Sequence, residues 1–144
     1  MSDVLVDDRL LGALLRHERV RGLRSRAKFH TTGYWYFRLC SAYFASDAAG
    51  VLSRPFRGLP EDRRAQAEAQ LLELPDSIGL LSLRTLAPTM GNLRRSHPTL
   101  NVLALEALAA AATLEADVFA SAHSPQLEAA LSKEGRRYTI LVSQ

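Results

Sequence analysis

The sequence predicts an α/β fold, a three-layer α/β/α arrangement around a parallel central sheet. Three observations predict it. Apolar runs of strand length recur at residues 4–6, 78–83, 117–121 and 138–142. Between them lie stretches with leucine and alanine at helical spacing or with helix-capping residues at their start. The last two runs are about fifteen residues apart with one helix between them, which suits a right-handed βαβ crossover and hence parallel strands.

Each element follows from its residues. Val4, Leu5 and Val6 form a buried strand ending in Asp7 and Asp8. Leu10, Leu11, Leu14 and Leu15 then recur at helical spacing, so a helix starts near Asp8 with acid at its positive end. Residues 16–28 are polar and basic, interrupted by Gly22, and read as a helix end or loop. A second helix is expected after Thr31, Thr32 and Gly33, reaching about Ser46. Residues 50–58, with Pro55, read as irregular, and Pro60 with Glu61 and Asp62 opens a helix that stops before Pro75. Ser96 and Pro98 suggest a helix start ahead of the alanine-rich stretch 99–114. Ser124 as N-cap and Pro125 as first helical residue open the final helix, and Gly135 ends it.

With 144 residues the chain is expected to form one domain, residues 1–144. An apolar fraction of 47% and a charged fraction of 23% exclude intrinsic disorder. No apolar run approaches the ~20 residues of a membrane span, and no charged start leads into a signal-peptide core. Cys40 has no second cysteine to pair with, so a reducing cytoplasm is the expected compartment. The formal net charge is only +3, but its distribution is uneven. Residues 1–38 hold eight basic and four acidic side chains, the remainder ten and eleven.

In an open parallel sheet, ligands gather outside the carboxyl ends of the strands. The residues expected there are Asp7 and Asp8 after the first strand and His123 and Ser124 after the third, with Asn101 joining them from its helix start. Paired carboxylates suit a hard divalent cation such as Mg²⁺ or Mn²⁺. They also suit a simpler role, with Asp8 capping a helix and Asp7 ending a strand.

The order of these elements resembles the PIN superfamily, a metal-dependent nuclease fold that includes toxin ribonucleases of bacterial toxin–antitoxin pairs. The resemblance is carried by VLVDDRLLGALL at the start. It continues in LNVLALEALAAAATLEADVFASAHSPQLEAALSKEGRRYTI towards the end. Together these cover roughly a third to two-fifths of the chain. The resemblance implies a Mg²⁺-binding acidic centre, RNA as substrate and an antitoxin-like protein as partner. Its first aspartate matches Asp7, the implied metal ligand. Its glutamate belongs in the helix containing Tyr34 to Phe44, where there is no acid until Asp47. Its next aspartate falls on Asn101, and its last acid falls near His123 or Ser124. Glu106 lies five residues past Asn101, about 140° round a helix, and does not replace it. An amide in place of an acid keeps an oxygen but loses the charge that holds a cation.

The expected catalytic set is therefore Asp7, Asp8 and Asn101, and the expected function is nucleic-acid or partner binding with weak or absent metal-dependent ribonuclease activity. An active endoribonuclease would need an additional acid, with Asp47 or Asp117 as candidates. A protein-docking module is the third reading.

A basic cluster supplies the binding surface: Arg16, Arg19, Arg21, Arg24, Arg26 and Lys28 within thirteen residues. Guanidinium groups pair with phosphate oxygens, and the nearby Tyr34, Trp35 and Tyr36 offer faces for unpaired bases. An acidic protein would suit the same cluster. The aromatic residues around Tyr34, Phe37, Tyr43 and Phe44 exceed what one helix face buries, and a homodimer contact is expected from them. The four histidines lack metal-ligand spacing, no phosphate-binding glycine loop is present, and Cys40 reads as a core residue.

Overall fold

Five strands, all parallel, form one sheet in the order β3-β2-β1-β4-β5, with helices on both faces. The computed structural model describes residues 2–23, 26–45, 50 and 52–141. In chain order the elements are β1 (Asp3–Val6), α1 (Asp8–Leu15), β2 (Lys28–Thr32), α2 (Gly33–Phe44), α3 (Arg54–Arg57) and α4 (Glu61–Leu72). They continue with β3 (Ile78–Leu81), α5 (Leu83–Ser96), α6 (Val102–Leu114), β4 (Asp117–Ala120), α7 (Pro125–Lys133) and β5 (Tyr138–Ile140).

Strand alternation divides the core in two. Leu5 and Val118 point into one layer, against Leu105 and Leu108 of α6 and Leu127 and Leu131 of α7. Val4 and Val6 point the other way, against Leu10 and Leu11 of α1 and Leu71 of α4. α2 serves both layers, with Trp35 in the first and Leu39 in the second. α6 is apolar nearly all round, and its residues from Ala104 to Ala111 are all buried, the pattern of a helix enclosed by protein. Its alanines allow neighbouring elements to approach closely.

Several boundaries depart from the sequence reading. The segment 16–28 was expected as helix end or loop, but its last residue opens β2 (KFHTT), which pairs with β1 and β3. No apolar run announces it; two neighbouring strands and the Thr31 hydroxyl, which donates to the Val6 carbonyl at 2.9 Å, hold it in place. The run at 78–83 is strand only to Leu81, because the Ser82 hydroxyl accepts the Thr85 N–H and starts α5. α5 itself has no counterpart in the sequence reading, since Pro88 and Gly91 interrupt its pattern. The alanine-rich helix starts at Val102, not near Ser96, and the 50–58 segment contains the single turn α3. The strand end expected at Val142 and the helix end expected at Ser46 lie outside the described residues.

Candidate functional site

Because every strand is parallel, all five carboxyl ends lie along one edge of the sheet. Four of them hand the chain directly to a helix whose first turn has unpaired N–H groups. Each of those helices is capped by a side chain. Asp7 Oδ1 accepts the Leu10 N–H at 3.0 Å, and the Thr32 hydroxyl accepts the Trp35 N–H at 3.0 Å. Ser82 does the same for Thr85, and Ser124 for Leu127. α6 also starts on this edge, since Val102 and Glu106 line a pocket with Leu80, Leu81 and Ser82 at the end of β3. Its cap is Asn101, whose Oδ1 accepts the Ala104 N–H at 2.8 Å.

Asp7 has a second task. Its Oδ2 accepts both the backbone N–H and the hydroxyl of Ser121, each at 2.7 Å, which ties the end of β1 to the end of β4. The residue is 5% exposed. Its carboxylate is thus held by three donors from the protein, the arrangement of a structural acid.

Asp8 differs. Its Oδ1 accepts the Arg9 N–H at 2.8 Å, and its Oδ2 lies 3.4 Å from Arg38 Nε in an ion pair without hydrogen-bond geometry. Burial pushes its carboxyl above the usual range and the neighbouring Asp7 charge adds to this, while Arg38 and the Arg9 N–H oppose it. A guanidinium on α2 therefore stands against the acid that a metal ion would need.

These donors do not fit a Mg²⁺ or Mn²⁺ centre. Asp7 is already occupied by N–H and O–H donors, Asp8 faces Arg38, and Asn101 caps its helix. Among the described residues, no group of three or more His, Cys, Asp or Glu is placed to hold a metal ion. Asp117, a candidate fourth acid, is paired with Val4 at the opposite end of its strand. Three residues of extended chain separate that level from Asp7, roughly 10 Å. Asp47 lies outside the described residues. His123 is exposed and pairs with Glu128 at 3.2 Å.

Glu106, set aside above as a replacement for Asn101, has a place of its own. It is 2% exposed, and its Oε1 accepts the Tyr34 N–H at 2.9 Å in the first turn of α2. The signal was available: it is the one charged residue between Val102 and Leu114. A lone acid in an otherwise apolar helix has to be satisfied from outside that helix.

The basic cluster is at the other edge. α1 carries the chain back from the carboxyl ends, so the loop before β2 lies beside the amino ends. Arg16 is not part of a binding surface there. It is buried, its Nε pairs with Glu18, and its guanidinium lies 4.9 Å from the centre of the Phe56 ring. Lys28 Nζ donates to the carbonyls of Asp76 and Ser77 at 3.2 and 3.1 Å. Arg19, Arg21 and Arg26 are exposed, and Arg24 lies outside the described residues.

Among the described residues, no helix is long and apolar enough to cross a membrane. Comparison of the chain with protein-family models and with curated proteins finds no match.

Proposed function

We propose that the chain is a PIN-like domain that binds nucleic acid, with metal-dependent ribonuclease activity weak or absent. The observation that carries this reading is the division of charge between the two edges of the sheet. Asp7, the best match to a family metal ligand, is engaged by Leu10 and Ser121, while Asp8 faces Arg38. Arg19, Arg21 and Arg26 are exposed at the far edge, in reach of solvent and of phosphate oxygens. RNA held by these arginines sits on the edge of the sheet opposite the one that carries Asp7. Binding and the remnant of a metal centre are thus separate features of one scaffold.

The test is a fluorescence-anisotropy titration of single-stranded RNA at several salt concentrations. Phosphate contacts release counterions, so affinity falls with salt by a log–log slope of roughly 0.7 for each contact made. Replacing Arg19, Arg21 and Arg26 together by glutamate is expected to weaken binding and lower that slope by about 2. Binding that is insensitive to salt and to the three changes overturns the nucleic-acid reading. It would favour docking of a protein partner instead.

A further inference from the structure

The buried Glu106 carboxylate borders a pocket of about 310 Å³ at the end of β3, between the first turns of α2, α5 and α6. Its wall is mainly apolar or aromatic, with Tyr34, Phe37, Leu80, Leu83 and Val102, and Ser82 adds a hydroxyl. Among the described residues, Glu106 is the one charged group lining it. Only one of its oxygens is taken up, by the Tyr34 N–H. The other, Oε2, receives no hydrogen bond from the described residues. It faces Gly33, where a β-carbon would stand 3.3 Å away and narrow the approach.

Oε2 is not sealed from solvent, and a negative charge at the wall of an apolar pocket favours a donor that can enter from solution. The amino end of α2 offsets part of that charge through its dipole, and the remainder favours a positively charged donor. The rings of Tyr34 and Phe37, 44% and 62% exposed, meet edge to face at 6.2 Å. Aromatic faces at the mouth of such a pocket attract an ammonium group as well. The volume is at the lower end for ligand pockets, enough for one ring or a short alkyl body.

We infer that this pocket binds a small organic cation, its ammonium group on Glu106 Oε2 and its apolar body against Phe37, Leu83 and Val102. The site is on the opposite edge of the sheet from the arginine cluster, so it stands or falls independently of nucleic-acid binding.

The probe is 2-phenylethylamine, titrated into the full chain and followed by the amide NMR signals of Gly33 and Tyr34. Saturable shifts at those amides are expected. Neutral 2-phenylethanol, with the same ring, is expected to bind at least about tenfold more weakly, because its hydroxyl can still donate to the carboxylate but brings no positive charge to pair with it. Glu106→Gln still offers an oxygen to the Tyr34 N–H and is expected to abolish the preference for the amine. Val102→Trp, an exposed change at the mouth, should weaken both compounds while leaving the carboxylate in place. The inference is overturned if the alcohol or phenylacetate binds as well as the amine. It is equally overturned if the shifts fail to saturate, map elsewhere, or keep their preference in Glu106→Gln.

Discussion

Asp7 and Asp8 are adjacent acids with opposite energetic roles. Asp7 satisfies three donors, so Asp7→Ala removes a helix cap and leaves the Ser121 N–H without its acceptor. The expected loss is about 2–4 kcal/mol, read as a lower urea midpoint. Asp8 is held in a place that disfavours its charge. Its folded pKa lies above the unfolded value, so the native state binds the proton more readily. The penalty is complete at neutral pH and is relieved as pH falls through the raised folded pKa towards the ordinary value of 3.8. Wild type is therefore expected to gain stability relative to Asp8→Asn over that acidic window. Urea midpoints of the two proteins, measured across it, should converge or cross; a constant difference contradicts this account of Asp8. Close packing is equally specific at Gly79, where a β-carbon would stand 2.1 Å from His30 Nδ1. The glycine lets the His30 ring lie over β3 while its Nε2 stays 2.8 Å from Asp3.

α6 shows how an element's surroundings decide its composition. Ala107, Ala109, Ala110 and Ala111 are at most 1% exposed, and the helix packs against α5, α7 and the sheet. Ala109→Leu is expected to cost about 1–3 kcal/mol by overpacking, whereas the same change at the exposed Thr113 should be nearly neutral. Chemical denaturation of both variants checks the contrast. Legibility varied between elements for physical reasons. β1, β4 and α7 could be read from sequence because burial and caps leave local marks: VLV, DVFA and Ser124-Pro125. β2 could not, because Lys28, His30, Thr31 and Thr32 become a strand only through pairing on both sides. α5 was hidden by Pro88, an exposed residue that the helix accommodates. The candidate site was half legible. Asn101 and Ser124 were placed at helix starts, whereas the cap expected at Asp8 is Asp7, and helix caps and catalytic polar groups use the same residue types. Arg16 looked like a surface cation, and only its packing on Phe56 removes it from the binding surface.

At the scale of the molecule, a parallel sheet gives the chain two chemically different edges. The carboxyl edge gathers strand-to-helix transitions, and with them Asp7, Thr32, Ser82, Asn101 and Ser124 as caps. The amino edge receives Arg19, Arg21 and Arg26, all exposed. A net charge of +3 conceals this polarity, and the proposed function follows from it. The proposed function requires that the domain hold RNA without using Asp7 to cut it. The most direct measurement is cleavage of a labelled RNA in Mg²⁺ and in Mn²⁺, at protein concentrations that saturate binding, for wild type and Asp7→Asn. Both proteins are compared under conditions in which circular dichroism shows them folded. Bound RNA is expected to stay intact to the same extent with both. Metal-dependent turnover by wild type that Asp7→Asn abolishes would contradict that expectation.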